Sequence, residues 1–207
     1  MPHSTQSRYR PNDTRTCGLA RCWLRNGSFA LAAEEFGYRA LGIDISAEGV
    51  EFAVSRGANA RNLDFLTYNF NQKFDIVTMW DVVEHLREPA RFLVRAGALL
   101  NPGGILVIKT PSIGEPCLRV VQRFPSLAST LLEAPDHVQF WTKPAMDTLL
   151  KRSGFRQVAY RPSRGFRSPA HGGSPMRKLK RKVKSALRQY GGNSNLYLSA
   201  RLSIDLS

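Results

Sequence analysis

Three ionisable residues follow one apolar run and are spaced so that they could do chemistry together. The mostly apolar run 76–79 is typical of a parallel strand covered on both faces, and Asp81, Glu84 and His85 come directly after it. In an open α/β sheet, ligands bind in the crevice beyond the carboxyl ends of the strands. Two carboxylates and an imidazole at that edge could transfer a proton or bind a divalent cation. The alternative is a solvated helix N-terminus, where the dipole favours acidic residues.

Two more acidic residues follow predicted strands. Asp44 ends a strand and precedes a helix, and an acid in that position can accept hydrogen bonds from two ribose hydroxyls. Asp64 lies near the end of the next strand candidate, where it could meet an adenine amino group. An ordinary turn aspartate and a surface aspartate are the respective alternatives. A nucleotide site also needs a glycine-rich turn one strand earlier, yet residues 19–27 contain only Gly27.

The elements that must position these residues alternate between strands and helices. Such alternation predicts βαβ units, a parallel sheet and right-handed crossovers with helices on both faces. We predict an antiparallel edge hairpin from the last two strands, a stop and turn at 101–104, and a long loop over 110–139. Predicted strands are 38–43, 58–66, a strand from 74, 105–108, 155–160 and 196–202; predicted helices are 28–36, 46–56, 88–100 and 142–154.

The chain is strongly basic near its C-terminus. It has 207 residues, 43% of them hydrophobic, and a formal net charge of +14. The segment 176–190 places its apolar residues at helical spacing opposite a cationic face, which is typical of a helix on an anionic membrane surface. A nucleic-acid backbone contact and a solvated helix packed on its own domain are the alternatives.

The remaining composition indicates a cytoplasmic protein, peripheral to the inner face of a membrane if the basic helix binds there. Cys17, Cys22 and Cys117 lack the spacing of a metal site or disulfide framework, and residues 1–16 lack an apolar signal region. No run approaches the ~20 apolar residues of a membrane span. We expect a disordered segment over 1–16, a main domain over 17–161, a basic amphipathic insert over 162–192, and a final strand and tail over 193–207.

In the order of these parts, the chain resembles class I S-adenosylmethionine-dependent methyltransferases from about Gly27 to Tyr160. The resemblance implies a Rossmann-like, mostly parallel seven-stranded sheet with helices on both faces and an antiparallel edge strand. By pattern the nearest described relatives are the ubiquinone-biosynthesis-type O-methyltransferases. The segments that carry it are Gly42-Ile43-Asp44-Ile45-Ser46, Phe74-Asp75-Ile76-Val77, Val83-Glu84-His85-Leu86, Leu99-Leu100-Asn101-Pro102-Gly103-Gly104, Ile105 to Ile108, His137 to Phe140 and Leu149 to Phe155.

The resemblance also implies roles, position by position. The cofactor would be S-adenosyl-L-methionine, with its ribose held by Asp44. The other implied cofactor-binding residues are Gly27 and Ser28 near the methionine moiety, Ile45 beside Asp44, Asp64 and Phe65 beside the adenine, and Trp80 at its strand end.

His85 is our candidate for the catalytic base, because histidine readily exchanges a proton near neutral pH. In the quinone enzymes that this chain resembles, an acid followed two residues later by Glu-His can ligate a divalent metal. Asp81, Glu84 and His85 match that pattern, so a metal site is the lower-ranked alternative. His137, in the long loop, either lines a substrate pocket or simply packs.

One departure from the family pattern affects the cofactor site. The family has an apolar strand, an acid and then Gly-x-Gly-x-Gly, where this chain has Cys22-Trp23-Leu24-Arg25-Asn26-Gly27. The glycines normally let the backbone approach the cofactor, so we expect the first strand to be lost or irregular. Permissible codons for residues 19–25, read one base later, encode Leu-Leu-Asp-Val-Gly-Cys-Gly. We therefore hypothesise a frameshift upstream of Asn26, in the gene or in its sequencing.

The sequence thus predicts methyl transfer to a small-molecule or lipid-like acceptor. The main alternative is a degenerate, non-catalytic binding module attached to a membrane or partner by the basic helix, which the altered first motif favours. A nucleic-acid methyltransferase is disfavoured, since Trp80-Asp81-Val82-Val83 is not the Asn/Asp-Pro-Pro-aromatic turn of amino-methylating DNA enzymes.

Overall fold

A computed structural model describes residues 19–22, 27–127, 138–161 and 195–202 of the chain. The sequence hypotheses on the segment 1–16, on residues 23–26, on His137 and on the basic insert 162–192 lie outside the described residues. Across the described part, no helix has the length and apolar character needed to cross a membrane.

Seven strands and five α-helices alternate along the described chain. The strands are β1 Leu19–Cys22, β2 Leu41–Asp44, β3 Ala60–Asn62, β4 Phe74–Trp80, β5 Leu100–Pro111, β6 Phe155–Arg161 and β7 Asn195–Leu202. The helices are α1 Ser28–Glu35, α2 Ala47–Ser55, α3 Pro89–Leu99, α4 Glu115–Arg123 and α5 Lys143–Arg152, with 3₁₀ turns at Val83–His85 and Pro125–Leu127.

The strands form one mixed sheet in the order β3-β2-β1-β4-β5-β7-β6. All pairs from β3 to β5 are parallel, whereas β7 is antiparallel to both β5 and β6. The predicted antiparallel hairpin of the last two strands is thus confirmed at one edge of the sheet, whereas the prediction that the antiparallel strand itself forms the edge is wrong. β7 lies inside the sheet and β6 forms the edge, because the chain passes β5 by one strand and then returns to fill the gap.

The prediction of a lost or irregular first strand is also wrong for the backbone. Leu19–Cys22 pair with β2 on one side and β4 on the other, in register from Ala20↔Leu41 and Leu19↔Ile76. A central strand with ladders on both sides has its backbone hydrogen bonds satisfied whatever its side chains are.

Local sequence signals set the start of helices α2 and α5. Ser46 caps α2 by accepting a hydrogen bond from the Gly49 N–H at 3.1 Å, and Thr142 caps α5 by accepting one from the Ala145 N–H at 3.3 Å. Helix α1 instead begins at Gly27, whose φ of 73° is left-handed.

Two apolar clusters cover the sheet. The larger joins β4, β5 and β7 to α3 and α5, with Phe74, Leu106 and Phe155 fully buried at its centre. The smaller packs α1 and α2 through Ala30, Val50 and Ala53. Helices on both faces confirm the predicted α/β architecture.

Two local predictions around β5 are wrong. The Asn101-Pro102-Gly103-Gly104 stretch ends helix α3 as expected, but it lies within β5 as an irregularity between the pairs Phe74↔Leu100 and Ile76↔Ile105. The stretch predicted as a loop over 110–139 contains helix α4, whose buried Cys117 packs in a satellite cluster with Ile113. The four prolines of this stretch led to the loop prediction. Pro116, however, lies in the first turn of the helix, where proline is tolerated.

Candidate functional site

The carboxyl ends of β2, β4 and β5 lie at one edge of the sheet because these strands are parallel members of the same sheet. Asp44 ends β2, Trp80 ends β4, and Lys109-Thr110 lie near the end of β5. This is the edge at which open α/β sheets bind ligands, and we refer to it as the ligand edge.

Asp44 is held firmly at the ligand edge. It is 4% exposed, and its Oδ1 accepts a hydrogen bond from the Ser46 N–H at 2.9 Å. Its backbone carbonyl accepts from the Asn62 side chain at 3.0 Å and from the Leu63 N–H at 3.0 Å. These contacts orient a carboxylate whose two oxygens can accept several hydrogen bonds.

The next residue along the chain offers a different surface. Ile45 is 79% exposed directly after Asp44. An apolar side chain left in water beside an oriented carboxylate is suited to cover a flat, partly apolar ligand.

Asp64 and Phe65 lie in different environments although they are adjacent. Asp64 is exposed, and its Oδ1 accepts from the Leu66 N–H at 2.8 Å. The Phe65 ring is 3% exposed and stacks on Phe92 with centroids 5.8 Å apart. The ring therefore belongs to the core, so any contact of Phe65 with a ligand falls to its backbone.

Gly27 and Ser28 begin helix α1 directly after the residues that are not described. A Cβ at Gly27 would lie 3.0 Å from the Cβ atoms of Ala53 and Ala58, so only glycine fits there without displacement. Ser28 is exposed, and its hydroxyl accepts a hydrogen bond from Arg56 at 3.2 Å.

Trp80 stands among aromatic rings at the end of β4. Its ring centroid is 4.8 Å from that of Phe29 on α1 and 6.3 Å from that of Tyr197 on β7. The indole Nε1 is buried and has no hydrogen-bond partner among the described residues. An unsatisfied buried donor at a strand end is a candidate contact for a ligand oxygen.

Asp81 makes a two-ended contact with Lys109. Its N–H donates to the Lys109 carbonyl at 2.8 Å, and the Lys109 ammonium binds both carboxylate oxygens, 2.6 Å from Oδ1. Asp81 has a φ of 53°, a left-handed conformation that is uncommon outside glycine.

The Glu84 side chain is buried against the end of β5 and does not reach solvent at the ligand edge. Its side chain is 1% exposed, and Oε2 accepts a hydrogen bond from the Thr110 hydroxyl at 2.8 Å. Burial raises the pKa of the Glu84 carboxyl, and the nearby Asp81 charge raises it further, against the lowering effect of the Thr110 bond. The folded chain therefore releases this proton at a higher pH than the unfolded chain does.

His85 is half-buried at the end of the same 3₁₀ turn, where its N–H donates to the Val82 carbonyl at 2.9 Å. The segment 138–140 lies against this turn. The N–H groups of Val138 and Gln139 each donate to the Glu84 carbonyl at 2.9 Å, and Gln139 Nε2 donates to the Leu86 carbonyl at 2.8 Å. One segment thus fixes the backbone on either side of His85.

Two of the three residues of the candidate metal set are directed to different partners. Asp81 binds Lys109, and Glu84 binds Thr110 within the core. Among the residues that the structure describes, no three His, Cys, Asp or Glu side chains are grouped so that they could hold a metal ion.

Sequence reasoning missed five residues that shape the ligand edge, namely Phe29, Lys109, Thr110, Gln139 and Tyr197. Lys109 breaks the apolar run of its strand, which is a signal that could have been used. The others carry no local signal, because their importance comes from which strand or turn lies beside them.

A family model described as "Methyltransferase domain" matches residues 25–160. That span runs from the residues before helix α1 to the end of β6 and leaves out β1 and β7.

Curated relatives match shorter stretches. The chain is 33% identical over 100 residues to a mitochondrial ubiquinone biosynthesis O-methyltransferase of Candida albicans, covering 39% of this chain and 31% of that protein. It is 31% identical over 80 residues to a ubiquinone biosynthesis O-methyltransferase of a Bradyrhizobium species, covering 36% and 32%. The matches thus span about a third or less of the length of these relatives.

Solved structures are similar over nearly the whole chain. A SAM-dependent methyltransferase from Archaeoglobus fulgidus has a TM-score of 0.62 and 17% identity, covering 92% of this chain and 88% of that one. Phosphoethanolamine N-methyltransferase 2 of Haemonchus contortus, in complex with S-adenosyl-L-methionine, has a TM-score of 0.60 and 17% identity, covering 90% and 49%. At such identities the likeness establishes the fold.

Proposed function

The chain belongs to the class I S-adenosylmethionine-dependent methyltransferase family, and we propose that it transfers a methyl group from S-adenosyl-L-methionine to a small-molecule or lipid-like acceptor. The observation that carries this proposal is the buried Asp44 carboxylate at the end of β2, within the matched span and at the ligand edge.

Several described residues fit the proposed cofactor. The Asp44 carboxylate suits the two hydroxyls of a ribose, and exposed Ile45 suits the adjoining face of the nucleoside. The orphaned Trp80 Nε1–H suits an acceptor oxygen of the amino-acid part. The Phe29 and Trp80 rings would also attract a sulfonium cation through their faces. The assignments of Gly27, Ser28, Asp64 and Phe65 stay predictions.

When bound, the cofactor supplies an electrophilic methyl group on sulfur. The protein's part is to align the acceptor with that methyl group and to exclude water. His85, on a turn fixed from both sides, takes the proton from an acceptor hydroxyl. Buried Glu84 stabilises this turn, because its backbone carbonyl accepts hydrogen bonds from the segment 138–139 and its side chain accepts one from Thr110.

A hydroxyl-bearing acceptor is supported by the relatives named ubiquinone biosynthesis O-methyltransferases. Contact of segment 176–190 with an anionic membrane surface, and a cytoplasmic location beside that surface, are further parts of the proposal. Their support is the charge of the segment, together with the position of its flanking strand ends. Arg161 pairs with Tyr197, and Pro111 with Asn195, so the strand ends on either side of the insert lie near the end of β5.

A second candidate function is favoured by one observation. The sequence Cys22-Trp23-Leu24-Arg25-Asn26-Gly27 lacks the glycines expected beside the cofactor. A chain that truly has this sequence would bind cofactor poorly and would act as a non-catalytic binding module.

Label transfer distinguishes the two functions. The chain is incubated with cofactor that carries an isotopically labelled methyl group and with a pool of extracted metabolites, which is then analysed by mass spectrometry. We expect label in a small molecule with a chain that carries Leu-Leu-Asp-Val-Gly-Cys-Gly over residues 19–25, and its loss when Asp44→Asn is added to that chain. Label in no product, or equal labelling by both chains, would contradict the proposed activity.

A further inference from the structure

The ammonium group of Lys109 lies beside the turn that carries His85. The Lys109 ammonium contacts both oxygens of the Asp81 carboxylate, and the Lys109 carbonyl accepts the Asp81 N–H at 2.8 Å. This two-ended contact stabilises Asp81 at a φ of 53°, where the chain turns from β4 toward His85. Aspartate tolerates this region better than most residues, because its short side chain can bond locally.

The position of Lys109 is set by the sheet. In the register of β4, β5 and β7, Lys109 pairs with Trp80 on one side and with Tyr197 on the other. Paired residues of adjacent strands lie on the same face of a sheet. The Lys109 side chain therefore lies on the same face of the sheet as these two aromatic residues, and only 19% of it is exposed.

The same residues do not fit a divalent cation. Metal binding requires deprotonated ligands that converge on one point. Asp81 is already bound through both oxygens to an ammonium, and the Glu84 side chain is buried against Thr110 on the core side. The metal site that the family resemblance suggested at Asp81, Glu84 and His85 is therefore not formed.

We propose that Lys109 is the resident cation of this site, in the place that a divalent metal would take at Asp81, and that it positions the turn that carries His85. Lys109 is in this sense a positioning residue, since it acts through Asp81. The inference rests on the proposed function for its meaning, because the turn matters as the acceptor side of a methyl-transfer site.

Manganese binding tests the inference without any need for activity. Free Mn²⁺ is measured by electron paramagnetic resonance during titration of the full chain. We expect no Mn²⁺ binding by the wild type or by Lys109→Arg, whose guanidinium can also bind a carboxylate through two bonds. Lys109→Met should bind none either, because Glu84 still bonds Thr110 and the Asp81 carboxylate alone does not make a metal site. The positioning role is read by amide hydrogen exchange: Lys109→Met should lose protection at the Asp81 and His85 amides, and Lys109→Arg should retain it.

Two results would overturn the inference: Mn²⁺ binding by the wild-type chain, or unchanged amide protection at Asp81 and His85 in a folded Lys109→Met chain. If Lys109→Met does not fold, as judged by circular dichroism, the wild-type and Lys109→Arg titrations still decide, since binding by either one contradicts a resident ammonium. Failure of the proposed function is seen separately, as absence of S-adenosyl-L-methionine binding in calorimetry, and leaves these titrations unaffected.

Discussion

Thr110 donates a hydrogen bond of 2.8 Å to Glu84 Oε2 inside the core. Glu84 directly precedes His85 in the sequence, and Thr110 directly follows Lys109. This bond joins the end of β5 to the turn that follows β4. It also holds a carboxyl group where water does not reach, and this burial makes the stability of the fold depend on pH.

The free energy of unfolding should depend on pH through Glu84. Burial raises the pKa of this carboxyl in the folded state above its ordinary value. Below the ordinary pKa, the protonated carboxyl contributes its full share to the free energy of unfolding. As pH rises, the unfolded chain releases this proton first, so the contribution is lost by the time pH passes the raised pKa of the folded state. Glu84→Gln should keep the Thr110 bond and remove this loss.

Urea denaturation over a pH series measures the effect. The stability of Glu84→Gln relative to the wild type should grow as pH rises above the ordinary carboxyl pKa. The control is Glu88→Gln, an exposed residue that pairs with Arg91 on the surface and should change the pH dependence little. A constant difference between Glu84→Gln and wild type at all pH values would show that Glu84 is not buried as described.

Gly27→Ala should destabilise the fold more than Gly57→Ala. Both glycines have positive φ, but an added Cβ meets Ala53 and Ala58 at 3.0 Å only at Gly27. The left-handed backbone costs about 1–2 kcal/mol in each variant, and overpacking adds about 1–3 kcal/mol at Gly27 alone. Equal losses of unfolding free energy in the two variants would contradict the close packing of α1 on α2.

Much of the fold can be predicted from the spacing of apolar residues and from the residues that begin and end helices. Strand β4, the Ser46 and Thr142 caps and the alternation of elements can be predicted because each depends on neighbouring residues. The position of β7 inside the sheet could not be predicted, since local sequence does not determine strand order. The Asp81–Lys109 pair was missed for the same reason: it joins residues from adjacent strand ends.

The candidate site was predictable in part. Asp44 and Trp80 lie at strand ends, as their sequence context indicated. Glu84 was grouped with Asp81 and His85 by spacing alone, whereas a 3₁₀ turn directs it into the core. Sequence spacing gives proximity along the chain, but the backbone conformation of the turn decides which way each side chain points.

His85→Asn should lower kcat by about 10²–10⁴-fold, the usual loss for a general base. The KM for the cofactor should change little, because Asp44, and not His85, is proposed to bind the ribose. A labelled-methyl assay with 3,4-dihydroxybenzoate as a phenolic probe measures both constants in a chain that carries the restored glycine turn. A variant with unchanged kcat would remove His85 from the proposed role.

The DNA over codons 10 to 27 should carry the glycine-rich motif in a shifted frame. The structure gives this segment the expected setting, with β1 central in the sheet and Gly27 in left-handed conformation at the start of α1. Resequencing should reveal codons for Leu-Leu-Asp-Val-Gly-Cys-Gly one base away from the present frame. If the shifted frame lacks those glycines, the frameshift hypothesis fails and the present motif is genuine.

Isothermal titration with S-adenosyl-L-methionine tests the central claim most directly. The present chain should bind weakly, and a chain with Leu-Leu-Asp-Val-Gly-Cys-Gly over residues 19–25 should bind well. In that chain Asp44→Asn should weaken binding by at least about tenfold, since hydrogen bonds to a charged group contribute about 1.5–3 kcal/mol. Asp75→Asn, at the opposite end of β4, is the matched control and should bind normally. Absence of binding in the restored chain, or full affinity after Asp44→Asn, would contradict a methyltransferase site at this edge.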